Sequence, residues 1–303
     1  MNGIIVIDKP KGYTSFDVVS IMRGLLKQKK IGHAGTLDPM ATGVLPILIG
    51  SAAKSQSIMP FEDKEYLAEF KLGITTDTLD ITGDIISEKE VKCTKKDILN
   101  ALSSFKGEIY QIPPMYSAVK VNGRRLYELA RNGLEIKRSK RKVTIHDITL
   151  KDYNENTKIG IMKVSCSKGT YIRTLCDDLG RKLNCGAVLT ELRRTKACGF
   201  TLDDAITIEK AKELSSRSAL HSRVFCSDRL FMNYSPVILT KIQENKFKNG
   251  AFISIDMIDI DKNIADNTIL RVYNISKDFL GLAKYCKDDK MLKVYKMFCV
   301  DRS

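Results

Sequence analysis

Histidine is scarce and widely spaced in this chain: only His33, His146 and His221 occur in 303 residues. The eight cysteines, at positions 93, 166, 176, 185, 198, 226, 286 and 299, include no Cys-x-x-Cys pair. Without clustered nitrogen and sulfur ligands, neither a zinc site nor another metal cofactor is expected. Scattered thiols without a secretory leader fit a reducing cytoplasm better than a disulfide framework. The first apolar run, Ile4-Ile5-Val6-Ile7, is too short for a signal peptide or a membrane span. A P-loop lysine pattern is also missing, so Gly32-His33-Ala34-Gly35 gives poor support to a nucleotidyltransferase.

Acidic residues are in deficit as well. Asp and Glu number 36 against 50 Lys and Arg, a net charge of +14. Such a surplus favours a polyanionic partner, nucleic acid before an anionic membrane surface. Hydrophobic residues make up 43% of the chain, enough to bury a sizeable core. The length suits one large domain plus a small one.

The densest feature that is present runs from Gly32 to Pro46 and contains GHAGTLDP followed by ATGVLP. Its three glycines and two prolines argue against a regular helix or a central strand. Pro39 biases Asp38 toward an extended backbone, so a stiff loop presents one carboxylate at a defined angle. Leu45 to Gly50 then reads as a buried strand. Residue chemistry alone leaves two readings of Asp38 open, a reactive carboxylate and a turn cap.

The remaining pattern alternates strands and helices. Gly3 to Asp8 reads as a strand leading through Lys9-Pro10-Lys11-Gly12-Tyr13-Thr14-Ser15 into a helix that Ser15 can cap, with Val18, Val19, Met22, Leu25 and Leu26 inward. Lys64 to Gly73 alternates, placing Tyr66, Ala68, Phe70 and Leu72 on one face. Thr94 caps a helix with Ile98, Leu99, Leu102 and Phe105 inward. The prolines of Gln111 to Ala118 impose an extended segment, and Asn122-Gly123 predicts a tight hairpin. Strands over Val143–Leu150 and Lys158–Ser167 lead into a helix whose first turn holds Tyr171 and Arg173. Residues 211–232 are polar and serine-rich and read as a linker. Short strand-like runs then follow at 252–260, 268–273, 279–285 and 291–298, a small β-rich module.

The loop at Asp38 resembles, nearly residue for residue, the signature loop of the TruB-type tRNA pseudouridine synthases. Three further stretches resemble that family in the same order: P-P-x-x-S-A-x-K-x-x-G-x-R from Pro113, Gly169-Thr170-Tyr171-Ile172-Arg173-Thr174-Leu175, and Leu189 to Thr195. The Lys-Pro-x-Gly-x-Thr-Ser turn at Lys9 supports the same assignment. The resemblance implies an α+β pseudouridine synthase fold with a central mixed sheet and flanking helices over residues 1–232. It also implies a PUA-like RNA-binding domain over 233–303. The implied reaction converts uridine 55 in the tRNA T-loop to pseudouridine, without a cofactor.

By the same resemblance Asp38 is the catalytic residue, with Arg173 beside it; the polar loop 75–84 leaves Asp80 two readings, a partner that holds Arg173 from the other side and a solvated loop acid. An arginine beside a carboxylate favours its charged form. Tyr66 and Leu192 contact the target base, and Tyr171 flanks it; stacking of a base on an aromatic ring suits a flipped nucleotide. His33 takes the space that the base vacates or bonds the RNA backbone. The basic residues Lys9, Arg124, Arg125, Lys137, Arg138, Lys140, Arg141 and Arg193 are expected along phosphates. A monomer acting on the T-arm of tRNA, without a membrane or protein partner, is the resulting expectation. Asp38 remains open between attack on the sugar, addition to the base and proton abstraction. The alternatives are a non-catalytic tRNA-binding protein and a synthase for a different uridine.

Overall fold

Two apolar strands, β1 (Gly3–Lys9) and a partner over Thr42–Ile49, pair antiparallel with Gly3 opposite Ile49 and Lys9 opposite Gly43. The structure, a computed structural model, describes residues 1–60, 63–117, 119–121, 123–131, 133–258 and 264–298. Between the two strands lie α1 (Ser15–Leu26) and β2 (Ile31–His33), which also pairs with Thr42–Ile49, here β3. Thr14 caps α1 in a capping box with Asp17, whereas Ser15 is turned inward toward the Leu37 backbone. β3 starts at Thr42 and includes Pro46, so the irregular stretch is shorter than its glycines and prolines suggest. Gly43 makes this possible at φ +104, against the main chain of Arg194, where a side chain would collide.

The chain continues with β4 (Lys64–Leu72), a hairpin of β5 (Ile74–Thr76) and β6 (Ile85–Glu88), and α2 (Lys95–Ser103). Leu99 stays exposed on α2, while Ile98 and Leu102 face the core. Next come β7 (Gly107–Gln111), the short hairpin β8 (Lys120–Val121) and β9 (Arg124–Arg125), and α3 (Leu126–Arg131). Asn122, part of the expected turn, lies outside the described residues. Long strands β10 (Arg141–Asn154) and β11 (Ile159–Cys166) lead to α4 (Ile172–Lys182), β12 (Ala187–Ala197) and β13 (Phe200–Thr201).

These strands form one mixed sheet in the order β1-β3-β12-β4-β11-β10-β7; the β3–β12 pair is parallel and the other pairs are antiparallel. Period-2 alternation on β4 puts Tyr66, Ala68, Phe70 and Leu72 on one face, as expected. α1, α2 and α4 cover that face through Val18, Met22, Ile98, Leu102, Leu175 and Leu179 in a single apolar cluster. The other face of β4 carries polar pairs, such as Thr190 to Glu69 at 2.7 Å and Thr195 to Glu65 at 2.8 Å.

Residues 211–232, expected as a linker, are packed. α5 (Ile208–Ser216) buries Ile208 and Ala211, Phe225 exchanges backbone hydrogen bonds with Ile4, and Leu230 and Phe231 are buried. The sequence hides this because short apolar runs such as Val224-Phe225 and Leu230-Phe231, set among polar residues, carry no period. A second sheet follows, in the order β14 (Pro236–Leu239), β16 (Ile269–Asn274), β17 (Phe279–Cys286), β18 (Met291–Met297), β15 (Ile253–Ser254). α6 (Lys241–Lys248), which the sequence reading did not anticipate, packs Phe247 against it. The expected strand at 252–260 is reduced to β15 plus a 3-10 turn, and residues 259–260 lie outside the described residues. The architecture is α+β, a mixed sheet with helices and a smaller β-rich sheet.

Phe231 joins the two sheets. It stacks with Tyr234 and Phe279 and tilts against Phe298, in a cluster that also holds Ile4, Val6 and Leu48 from the back of the large sheet. Phe231→Ala is expected to lower unfolding free energy by about 3–5 kcal/mol, the usual cost of emptying a buried aromatic site. Urea denaturation measures it; a loss under about 1 kcal/mol would mean that the junction collapses into the gap.

Candidate active site

The segment between β2 and β3 is anchored at almost every residue. The Ala34 amide donates to Pro46 at 2.9 Å, the Leu37 amide to the Ser15 hydroxyl at 2.8 Å, and the Gly12 amide to the Pro39 carbonyl at 2.8 Å. Leu37, Met40 and Ala41 are buried in the main core. Asp38, between Leu37 and Pro39, is left facing outward with its side chain 37% exposed. A buried frame thus carries one accessible carboxylate.

Asp38 meets Arg173, from the first turn of α4. Arg173 Nη2 lies 2.9 Å from Asp38 Oδ2, and Nη1 lies 3.6 Å from Asp80 Oδ2. The guanidinium also donates to the carbonyls of Tyr116 at 2.7 Å and Thr78 at 3.2 Å. Asp80 is itself held by the Thr78 hydroxyl at 2.9 Å, the Thr82 amide at 3.0 Å and the Thr82 hydroxyl. The Ile81 amide donates to the Leu189 carbonyl at 2.9 Å and the Leu189 amide to the Leu79 carbonyl at 3.2 Å, which ties this loop to β12. Arg173 and Asp80 are both buried, so each depends on the other for compensation of its charge.

Tyr66 projects from β4 into the same region and is buried. Burial pushes its phenol up to about 12, Asp38 adds to the rise, and the nearby Arg194 guanidinium opposes it. Tyr171, at the N-cap of α4, is half-buried, and burial also raises its phenol, with Asp38 contributing. Both rings are therefore neutral at physiological pH and offer faces and hydroxyls rather than phenolates. Gln111 fixes Tyr171 by a two-way clasp, donating to its carbonyl at 3.2 Å and accepting from its amide at 2.9 Å. His33, at the end of β2, is lowered by burial and by Arg194, and its Nδ1 is buried without a hydrogen-bond partner among the described residues. Leu192 on β12 is buried, its carbonyl accepting from the Thr42 hydroxyl.

The structure thus brings together Asp38, Arg173, Asp80, Tyr66 and Tyr171, with His33 and Leu192 on flanking strands. The basic residues separate into three groups. Arg124, Lys137, Lys140 and Arg141 are exposed. Ile112 and residues 135–140 line an open cavity of about 670 Å³, in which Arg138 pairs with Glu135 and donates to Pro113. Arg193 is half-exposed but engaged by both oxygens of Asp8, at 3.2 and 2.8 Å. The side chain of Arg125 lies outside the described residues.

Lys9 is a correction. It is fully buried, and its ammonium donates to the carbonyls of Tyr13 at 2.6 Å, Pro10 at 3.1 Å and Pro39 at 3.3 Å, so it supports the loop from inside and cannot lie along a phosphate. Burial pulls it down to about 8; the Asp38 charge holds it up and Arg194 pushes it further down. Arg194 was missed. It is fully buried on β12 and donates to Val44, Thr36 and Gly35. The signal was strand alternation: with Leu192 inward, Arg194 is inward too.

Residues 23–172 match the model of the TruB family pseudouridylate synthase N-terminal domain, and residues 173–228 match that of the tRNA pseudouridylate synthase B C-terminal domain. The chain is 45% identical over 298 residues to tRNA pseudouridine synthase B of Clostridium kluyveri, covering 98% of this chain and 100% of that one. It is 43% identical to the protein of the same name from Clostridium tetani, covering 95% and 97%. Among solved structures it is similar to a chain in a Cbf5-Nop10-Gar1 complex, with a TM-score of 0.73, 24% identity, and coverage of 98% of this chain and 85% of that one. That likeness concerns the fold. Among the described residues no helix is long and apolar enough to cross a membrane.

Two outcomes follow from the buried bases around the loop. Lys9→Met leaves three carbonyls without their donor and is expected to cost about 2 kcal/mol or more in urea denaturation; a surface cation would change stability by less than about 0.5 kcal/mol. His33 binds a proton more weakly when folded than its ordinary 6.5, so the unfolded chain gains protons first as pH falls. Its contribution to stability is therefore level above that value and declines below it, by at most about 1.4 kcal/mol per pH unit. Denaturation curves at descending pH should show a shallower acid decline in His33→Gln than in wild type; equal slopes would mean that His33 titrates normally.

Proposed function

Since the chain belongs to the TruB family of pseudouridylate synthases, and is an isomerase by that membership, we propose that it converts uridine 55 in the T-loop of tRNA to pseudouridine, with Asp38 as the catalytic carboxylate. The observation that carries this reading is Asp38 itself: an accessible carboxylate on a buried frame, paired with Arg173 and flanked by two neutral tyrosines. The names of its relatives supply the tRNA substrate.

The reaction breaks the bond between ribose C1′ and uracil N1, turns the base and joins C1′ to C5. The C5 proton is then lost and N1 regains one, so atoms and electrons balance without an oxidant. A target inside a folded loop must be flipped out of its stack to reach a carboxylate at this depth. Asp38 serves as nucleophile or base toward it. Arg173 and Asp80 keep the carboxylate aimed, and Tyr66 and Tyr171 bracket the detached base so that it turns without escaping. Exposed Arg124, Lys137, Lys140 and Arg141 engage phosphates, in keeping with the +14 charge of the chain. We assign residues 1–232 to the catalytic domain and 233–303 to a PUA-like module that adds RNA contacts. A monomer in the cytoplasm suffices for this activity.

The test is tritium release from T-loop RNA labelled at uridine C5. Wild type is expected to release tritium, and Asp38→Asn to lose about 10²–10⁴-fold or more in rate, the range for removing an acid–base group. Gel-shift affinity should stay close to wild type. Binding without release by the wild-type protein would overturn the proposal in favour of a non-catalytic RNA-binding role.

A further inference from the structure

We propose that Arg194 is the positioning residue of this site, its buried guanidinium fixing the main chain on both sides of Asp38. The inference rests on Asp38 carrying the chemistry. Arg194 is 0% exposed, and all three guanidinium nitrogens donate to main-chain carbonyls: Nε to Val44 at 2.7 Å, Nη1 to Thr36 at 3.3 Å and Nη2 to Gly35 at 3.0 Å. Two of those carbonyls precede Asp38 and one follows it. One side chain therefore closes the loop as a staple does.

The backbone of Arg194 reinforces the same placement. It pairs parallel with Gly43 of β3 and antiparallel with Tyr66 of β4. Gly43 sits at φ +104, so close to the Arg194 main chain that any side chain there would collide. The register of Tyr66, the end of the loop and the guanidinium are thus all set by one residue. A lysine could not reproduce this, because a point ammonium lacks the planar fork that spreads donors over three carbonyls.

Arg194 differs from Arg173 in its charge balance. Arg173 faces two carboxylates, whereas among the described residues Arg194 makes no ion pair. A buried charge without a counter-ion costs folding free energy, which its three hydrogen bonds to carbonyls offset, so removing the guanidinium is expected to lower stability as well and the rate must be read on folded protein. Its charge also reaches the groups around Asp38: it pulls down Lys9 and His33, in both cases after burial, and opposes the rise of Tyr66.

The experiment compares wild type, Arg194→Met, Arg194→Lys and Asp38→Asn in single-turnover tritium release and in Kd for the same T-loop RNA. Arg194→Met is expected to slow the step by about 10²-fold, the cost of a misplacement on the ångström scale, with Kd held within about threefold. Arg194→Lys should recover part of the rate but not all. His33, followed by imidazole NMR, should titrate closer to 6.5 in Arg194→Met and remain near its wild-type position in Arg194→Lys. A folded Arg194→Met at the wild-type rate would overturn the proposal, as would a weakened Kd with an unchanged single-turnover rate. Failure of both Arg194 variants to fold would also overturn it and make the residue purely structural. A wild-type rate in Asp38→Asn would instead sink the catalytic reading itself. A slow Asp38→Asn beside a normal Arg194→Met would sink this inference alone.

Discussion

The site depends on one buried cation, Arg173, gripped by two carboxylates and two carbonyls. Asp38, Asp80, Thr78 and Tyr116 come from three separate stretches of chain, and α4 supplies the arginine from a fourth. A charge pair at such distances is worth about 4 kcal/mol at an effective dielectric of 20, while desolvating each partner costs several kcal/mol. The pairs therefore do little more than balance their own burial. Their effect is on geometry: each segment is held where the arginine can be satisfied, and an arrangement lacking any one of them leaves a buried charge exposed to a large penalty. This explains why so polar a centre is seated in an otherwise apolar core.

That constraint accounts for much of the surrounding construction. α4 must begin near Asp38, so Tyr171 occupies its N-cap without a capping side chain, and Gln111 clasps the Tyr171 backbone from the edge strand β7. The loop carrying Asp80 must stay close, so it is sewn to β12 through Leu79, Ile81 and Leu189. The Asp38 loop must not relax, so Lys9, Ser15 and Arg194 satisfy its carbonyls from beneath. Interior cations that donate to carbonyls do the work that a regular strand would otherwise do with its ladder.

Much of this was legible in the sequence because it follows local rules. The strand holding Tyr66 alternates cleanly, the Thr94 cap is followed by an acid at the third position, and the glycines and prolines around Asp38 mark a constrained loop. Illegible parts depend on tertiary contacts. Ser15 looked like a helix cap, but Thr14 takes that role because Ser15 is drawn to Leu37. Residues 211–232 looked like a linker because Leu220 and the short run Leu230-Phe231 carry no period in polar text; Leu220 is buried in the main core, and Leu230 and Phe231 in the cluster that also holds Phe279 and Phe298. Leu99 broke the pattern in the opposite direction, remaining exposed on a short helix whose buried stripe is narrow.

The adjacent arginines 193 and 194 show where charge-based reading fails. Both are basic residues in a strongly basic chain, and the sequence reading places Arg193 along phosphates while giving Arg194 no role. Alternation along β12 sends them to opposite faces: Arg193 to Asp8 at a partly exposed edge, Arg194 into the core among carbonyls. Lys9 repeats the lesson, since the apolar strand Ile4–Ile7 carries it inward past a half-buried Asp8. A positive residue can meet a phosphate only if its strand face allows; on β12 that face was readable from Leu192, whereas the unbroken apolar run Ile4–Ile7 marks no face for Lys9. Periodicity should therefore be applied to charged residues before charge is, because the backbone decides which cations reach solvent and which remain to hold the loop.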